Sequence, residues 1–294
     1  MNKLLKLVVA VSLLAVGLGA VEGAVPYRIT GVPDSFKAAT SVLNVGAFDD
    51  STRTAQEHFV TWDALEDVMA YYEPRQVIFD PTATAASITA WSAERGDNVF
   101  PLDVSFEGCR WLTDAYLQAF VVGTNGMIVK LNLRNTGVTD ISALANCRGL
   151  KTLDLRGCTG VTDISPLAGC PGLQYLYLRG CIGVRDIMPL AGCTRLERLI
   201  LSGTGVTDIS VLEHCTGLQT LNLSGCTNVI NIMPLANCTG LQTLFLIGCR
   251  NVINIMPLAR CPGLKYLDLD GCIGVTDTDI DELQRSLPRL RIYR

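Results

Sequence analysis

The twelve cysteines are the side chains of this 294-residue sequence best suited to chemistry. They form two series, one just before each new sequence repeat and one in the turn after each predicted strand. Zinc binding is disfavoured, because no cysteine pair has the close spacing of a zinc site and His58 and His214 are the only histidines. Disulfides between neighbouring repeats are one alternative in a secreted chain, but recurring turns equally suit buried thiols, which we favour. The first series is Cys147, Cys170, Cys193, Cys215, Cys238 and Cys261; the second is Cys109, Cys158, Cys181, Cys226, Cys249 and Cys272.

A regular series of Asp and Asn residues is better explained by turns than by catalysis. Asp163, for example, precedes Ile-Ser-Pro, where a carboxylate can accept the backbone N–H two residues on. Asp277, Asp279 and Asp281 imitate the start of a calcium loop, but Glu282 stands where glycine is required. No hydrolase, protease or nucleotide-binding motif occurs between a predicted strand and helix, so we predict no catalytic residue, cofactor or metal. The series runs Asp140, Asp163, Asp186, Asp208, Asn231, Asn254, Asp277.

The elements that position these residues follow from an internal repeat. The segment LDLRGCTGVTDISPLAGCPG, which begins at Leu153, returns with small changes every 22 or 23 residues. A period of this length predicts a solenoid in which each repeat buries its apolar residues against its neighbours. Within a repeat, leucines spaced as in LxxLxL predict a short strand with one face inward. Repeats begin at Ile128, Leu150, Leu173, Leu196, Leu218, Leu241 and Leu264.

Two motifs resemble known leucine-rich repeats. VTDISPLA, from Val161 to Ala168, resembles the 22-residue repeats of internalins, and the turn at Gly157 and Cys158 resembles cysteine-containing leucine-rich repeats. The resemblance implies an α/β leucine-rich-repeat solenoid, or horseshoe. Its concave face would carry a parallel β-sheet, and its convex face would carry turns and short 3₁₀ segments.

The N-terminus predicts secretion. Lys3 and Lys6 precede an uncharged apolar run from Leu7 to Ala20, which is typical of a signal peptide. An N-terminal membrane anchor is the alternative, although the run is short for a full span. We therefore expect a signal peptide in residues 1–23, an N-terminal cap in residues 24–98 and a leucine-rich-repeat domain in residues 99–294. The last region would hold about eight repeats and a C-terminal cap from about residue 277.

The two ends of the repeat region carry additional predicted elements. Residues 103–114 match residues 152–163 position by position and predict a degenerate repeat, followed by a helix from Asp114 to Val122. Upstream, the pattern predicts a helix from Val60 to Tyr72 and a strand from Gln76 to Asp80. At the C-terminus, Thr278 and Asp281 have the spacing of a capping box, and residues 290–293 predict a last strand.

The outward strand positions are the residues that the repeat does not dictate, and they are the candidate partner-binding site. Arg134, Arg156 and Arg179 share one position in three consecutive repeats, where their charges repel unless acids such as Glu107 and Asp154 or a partner offset them. Arginine and tyrosine are favoured at interface hot spots. The candidate residues are Arg134, Arg156, Arg179, Tyr175 and Tyr177 in one zone, Phe245, Ile247 and Tyr266 in a second, apolar zone, and Arg198 in addition.

The net charge and the N-terminal segment restrict the classes of function that we expect. The net charge is −4, and removal of the signal peptide makes it more negative, which disfavours nucleic-acid binding. We expect a secreted or surface-exposed monomer that is not an enzyme, has no membrane span after cleavage and binds a protein. The internalin resemblance implies a host or neighbouring-cell surface protein as partner. The alternatives are an activity in residues 24–98 or a purely structural surface protein.

Overall fold

The computed structural model describes residues 27–30, 42–45, 57–59, 76–79, 102–110, 112–124, 126 and 128–294. The predicted signal peptide in residues 1–23 and the predicted helix from Val60 to Tyr72 lie outside these ranges. The chain divides into two compact units, Met1–Gly137 and Val138–Arg294.

The first unit is a mixed sheet that becomes parallel toward its C-terminal end. The strands lie in the order β3-β2-β1-β4-β5-β6; β1 is antiparallel to β2 and β4, and the other neighbours are parallel. The predicted strand at Gln76 and the predicted helix at Asp114 are both present. The elements are β1 (Tyr27–Thr30), β2 (Val42–Val45), β3 (Glu57–Phe59), β4 (Gln76–Phe79), β5 (Leu102–Ser105), α1 (Asp114–Gly123) and β6 (Ile128–Asn132).

Helix α1 packs against Phe106, the residue that follows β5, through an aromatic contact. Phe106 and Phe120 are fully buried, with ring centroids 5.1 Å apart and the rings nearly perpendicular. Leu112 and Leu117 are buried beside them. The degenerate repeat therefore keeps the strand and turn of the regular repeats and replaces the following segment with a helix.

The second unit is a regular stack of short strands and 3₁₀ helices. Each strand pairs in parallel with the next one in the sequence. The strands are β7 (Thr152–Asp154), β8 (Tyr175–Tyr177), β9 (Arg198–Ile200), β10 (Thr220–Asn222), β11 (Thr243–Phe245), β12 (Tyr266–Asp268) and β13 (Arg291–Tyr293). The 3₁₀ helices are Ser142–Asn146, Ser165–Gly169, Met188–Gly192, Ser210–His214, Met233–Asn237 and Met256–Arg260.

The core of each repeat consists of the predicted leucines and β-branched residues. In the repeat that contains β7, Leu153 and Leu155 point inward from the strand, Ile164 and Leu167 face them from the 3₁₀ side, and all four are buried. Complete burial of such a side chain contributes roughly 1.5–3 kcal/mol. The predicted solenoid, with parallel strands on one face and 3₁₀ turns on the other, is confirmed.

Six of the seven members of the Asp and Asn series cap the 3₁₀ turns as predicted, whereas Asp277 is the first residue of the C-terminal helix Asp277–Ser286 and pairs with Arg294. Asp163 Oδ1 accepts the backbone N–H of Ser165 at 2.7 Å, and the neutral Asn231 accepts that of Met233 at 2.9 Å in the same geometry. Asp140, Asp186, Asp208 and Asn254 make the equivalent bond. Each of these side chains accepts a hydrogen bond at the start of a 3₁₀ helix, and its role is structural.

All twelve cysteines are buried thiols rather than disulfides. Most donate to a carbonyl oxygen of the preceding repeat: Cys249 Sγ lies 3.1 Å from Leu223 O, and Cys261 Sγ lies 3.2 Å from Leu235 O. Burial, which disfavours the thiolate, raises the pKa of Cys249 to about 12 and that of Cys261 to about 11. The thiols therefore act as small buried groups that tie neighbouring repeats together.

Threonine replaces the cysteine of the second series in the two 22-residue repeats, which begin at Ile128 and Leu196. Thr136 and Thr204 are buried at the position of the second series, and each hydroxyl donates to the carbonyl three residues back at 2.7 Å. Thr204 Oγ1 also lies 3.5 Å from Cys226 Sγ. The requirement at this position is therefore a small side chain with a donor, which a hydroxyl meets as well as a thiol.

The C-terminal cap forms, but its capping box is not the predicted one. Helix α2 (Asp277–Ser286) begins one residue after Thr276, whose Oγ1 accepts the N–H of Asp279 at 3.3 Å. Asp279 returns the bond by accepting the N–H of Thr276 at 2.8 Å. The prediction of Thr278 and Asp281 was wrong, because Thr276 keeps extended backbone angles and Thr278 already lies in the first helical turn.

Candidate functional site

The candidate site of the second unit is the outward face of its strands. Each strand presents two residues outward, and a third outward residue lies just after the strand, two positions beyond the second. Parallel pairing in register aligns equivalent residues, so that Asp154, Tyr177 and Ile200 are neighbours in one row. The row continues through Asn222, Phe245, Asp268 and Tyr293.

In the first unit, Arg134 is neutralised by an acid of its own unit. Its Nη1 lies 3.3 Å from Glu107 Oε1, and Asn132 Nδ2 donates to the other carboxylate oxygen at 3.0 Å. Lys130 likewise pairs with Asp103 at 2.6 Å. These groups are substantially exposed, so the pairs contribute little to stability, about 0–1 kcal/mol each.

In the second unit, Arg156 is held by Asp154 and Tyr177. Arg156 Nε donates to Asp154 Oδ2 at 2.9 Å, Nη2 pairs with the same oxygen, and the guanidinium carbon lies 5.2 Å from the centroid of the Tyr177 ring. Asp154 also accepts the backbone N–H of Arg156 at 3.0 Å and is only 7% exposed. The Arg156 guanidinium therefore already has an ion pair and an aromatic contact within the chain.

Arg179 and Arg198 differ from these arginines. Both are exposed, and no carboxylate among the described residues forms an ion pair with either guanidinium. Tyr175, which lies between Thr152 and Arg198 in its row, donates its hydroxyl to Glu197 Oε2 at 3.0 Å. That hydrogen bond raises the pKa of Tyr175. Arg179 and Arg198, like the exposed Arg291 of β13, are thus cations of this face that remain available to a partner.

The second predicted zone is an aromatic cluster larger than the sequence indicated. The Phe245 and Tyr266 rings lie 5.3 Å apart, and Tyr266 stacks on Tyr293 at 4.8 Å with 27° between the ring planes. Ile247 is 37% exposed and Tyr293 is 48% exposed, whereas Phe245 and Tyr266 are half-buried by their mutual contact. Tyr293 was missed as a site residue, although extending the strand register to the predicted last strand would have placed it in this row.

An exposed apolar stripe on the 3₁₀ side was also missed. Ile230, Met233 and Ile253 are each more than half exposed, as is Ile273. Most earlier repeats carry Thr or Ser at the first three of these positions, but the repeat that begins at Leu173 carries Arg185 and the exposed Met188 there. Departure from the commonest residue of the repeat was the available signal.

The described residues contain neither a metal centre nor a membrane span. No three His, Cys, Asp or Glu side chains within them are grouped as ligands of one ion would be. None of the helices in the described ranges has the length and hydrophobicity needed to cross a bilayer.

The repeat and the fold define a leucine-rich-repeat protein. Residues 128–169 and 194–237 match the family model described as leucine rich repeats (2 copies). The solenoid resembles those of internalins in fold. An internalin of Listeria monocytogenes str. 4b F2365, InlF, is 22% identical with a TM-score of 0.59, over 83% of this chain and 71% of that chain.

Two further solved structures show the same fold. Internalin C2 of the same strain is 22% identical with a TM-score of 0.53, over 94% of this chain and 99% of that chain. The leucine-rich repeat domain of the type III effector XopL is 20% identical with a TM-score of 0.57, over 79% of each chain. The comparison with curated protein sequences gives no match. These likenesses, all below 25% identity, establish the fold.

Proposed function

We propose that this chain is a secreted or surface-exposed protein, without enzymatic activity, that binds a protein partner through the strand face of its solenoid. The observation that carries the proposal is the pair of exposed arginines, Arg179 and Arg198, which have no acid of their own among the described residues. Exposed, uncompensated charge of one sign beside tyrosines is typical of an interface. The partner is a surface protein of a host or neighbouring cell, the chain acts as a monomer, and residues 24–98 serve as the N-terminal cap.

Secretion is supported by the first 23 residues and by the similarity to internalin structures. Expression of the full sequence in a secreting host, followed by N-terminal sequencing of the protein in the medium, tests it. Cleavage near residue 23 is the expected result. Retention of the intact N-terminus in the membrane fraction would contradict secretion and favour an anchor.

The binding face can be tested with matched pairs of arginines. The mature protein is immobilised, partners are captured from host and sibling-cell extracts, and the affinity of a purified partner is measured by biolayer interferometry. Arg179→Ala with Arg198→Ala should weaken binding at least tenfold. Arg185→Ala with Arg195→Ala, two exposed arginines outside the strands, should leave it unchanged.

A broader variant covers the whole first zone, with Ala at Arg134, Arg156, Arg179, Tyr175 and Tyr177. Removing Arg156 and Tyr177 uncovers the buried Asp154, so circular dichroism must show that this variant folds. Unchanged affinity in both the double and the fivefold variant would overturn the proposed binding face.

A further inference from the structure

The strand face contains the same acid and tyrosine arrangement twice, and the two copies differ in one residue. In β7, Asp154 lies beside Tyr177 of β8 in the register, and in β12, Asp268 lies beside Tyr293 of β13 in the same way. Each Asp accepts the backbone N–H two residues on, at 3.0 Å for Arg156 and 3.1 Å for Asp270. The two sites therefore have equivalent backbone geometry.

The residue that differs supplies the cation in the first copy. Arg156 reaches back to Asp154 and lies over the Tyr177 ring. The equivalent residue after β12 is Asp270, an exposed acid. The carboxylate of the first copy is thus neutralised by an arginine of the chain, whereas the second copy carries two carboxylates.

The described strands place an exposed cation near these two acids, Arg291 of β13, which lies beside Tyr266 in the register. Within residues 128–294 neither Asp268 nor Asp270 forms an ion pair, and Lys265 instead donates to Gln242 Oε1 at 3.1 Å. Tyr266 donates its hydroxyl to Asp268 Oδ2 at 3.3 Å, which orients the carboxylate without neutralising it. Like charges on one strand face are unfavourable unless an opposite charge is brought near.

The surroundings indicate an organic cation rather than a metal ion. Tyr266, Tyr293 and Phe245 form a contiguous aromatic surface beside the two carboxylates. Calcium needs six to eight oxygen ligands, which two carboxylates among aromatic rings do not provide. A guanidinium combines paired hydrogen bonds to a carboxylate with stacking on an aromatic ring, as Arg156 does inside this chain.

We propose that the Asp268, Asp270 and Tyr293 site binds an arginine side chain presented by the partner protein. The inference rests on the proposed function, because it identifies the chemistry of the partner at the second zone of the strand face. The occupant is a basic segment, and it reproduces between two proteins the contact that Arg156 makes with Asp154 and Tyr177.

The test uses a defined probe and the full mature chain. The peptide acetyl-Gly-Arg-Gly-amide is titrated into protein labelled at tyrosine, and the ring signals of Tyr266 and Tyr293 are followed by NMR. Saturable shifts are expected, with at least tenfold weaker binding of the neutral citrulline peptide. Equal binding of the citrulline and arginine peptides would overturn the proposal.

Charge substitutions provide matched controls. Asp270→Arg places after β12 the residue type that Arg156 provides after β7, so this variant should fold and lose the probe. Asp281→Arg makes the same change on the exposed surface of α2 and should retain it. The converse change, Arg156→Asp, should create a second probe site beside Tyr177. Probe binding that survives Asp270→Arg would refute the assignment.

The outcomes separate this inference from the proposed function. Loss of partner binding in Arg179→Ala with Arg198→Ala, combined with no arginine probe binding, would sustain the binding face and overturn the arginine site. Probe binding at Asp270, without any partner whose binding depends on the strand face, would sustain the arginine site and overturn the proposed binding face. Sedimentation showing that the chain dimerises, with dimers abolished by Arg179→Ala and Arg198→Ala, would overturn a separate protein as the occupant.

Discussion

The buried thiols should make the stability of this protein fall steeply in alkaline solution. Cys249 is fully buried, and desolvation, with Cys226 and Cys272 nearby, raises its pKa from 9.0 to about 12. The unfolded chain releases this proton near pH 9, while the folded chain keeps it. Stability from a group with a raised folded pKa is complete below its unfolded pKa and is lost as the pH rises toward the folded pKa. At pH 10, this linkage costs about 1.4 kcal/mol for Cys249.

A single variant isolates one thiol from the rest. Cys249→Ala should lower the free energy of unfolding by about 1–2 kcal/mol at pH 8, because it leaves a small cavity and removes the donor to Leu223 O. At pH 10 the difference from the unmodified protein should shrink by about 1.4 kcal/mol, since the variant has lost the titrating group. Urea unfolding followed by circular dichroism at both pH values measures these differences.

Thr204→Ala is the matched control. Thr204 occupies the same series and donates to Leu201 O at 2.7 Å, but it has no proton to release in this range. Its effect on the free energy of unfolding should not shrink between pH 8 and pH 10, because loss of its bond to Cys226, which lowers the pKa of that thiol, adds to the alkaline cost. A Cys249→Ala difference that stays constant with pH would refute the linkage, and a Thr204→Ala difference that shrinks equally would show that other groups cause the alkaline loss.

Three further predictions concern the structural residues. In denaturant without reductant all twelve thiols should react with Ellman's reagent, and fewer than twelve would indicate disulfides. The native protein should react very slowly at pH 8, because burial raises the pKa of the thiols; for Cys249, a pKa of about 12 lowers the thiolate fraction roughly a thousandfold. Thr276→Ala should lower the free energy of unfolding by about 1 kcal/mol and Thr278→Ala by clearly less, and the opposite order would contradict the observed cap. Asp163→Ala should cost about 1 kcal/mol in thermal or urea unfolding, whereas Asp163→Asn should cost little, because Asn231 already makes the same bond.

The sequence predicted the solenoid because its fold depends on repetition. Leucines at fixed spacing can be buried together only if successive strands align in register, and Leu153, Leu176 and Leu199 do so. The turn acids were equally predictable, since an Asp or Asn before a turn has one local bond to make. The position of the C-terminal cap was harder, because Thr276 and Thr278 both have an acid three residues on, and only the backbone angles distinguish them.

The site was predicted less completely, since its properties depend on which side chains pair. Arg134, Arg156 and Arg179 look equivalent in the repeat, and the acids that could offset the first two were evident. The structure shows that Glu107 and Asp154 neutralise Arg134 and Arg156. Rotamers and register decide such pairs, and periodicity alone does not report them. The binding role of each of these residues stays a prediction.

The comparison of Arg156 with Asp270 explains how one repeat can serve both stability and recognition. Both residues follow an LDL segment, and both neighbouring strands place a tyrosine beside the aspartate. With arginine, the acid is neutralised within the chain and the tyrosine ring is covered. With aspartate, the acid forms no ion pair within residues 128–294 and the aromatic surface, 48% exposed at Tyr293, faces outward. Since the backbone bonds are the same in both cases, exchanging these residues should move a cation-binding site along the sheet without changing the fold.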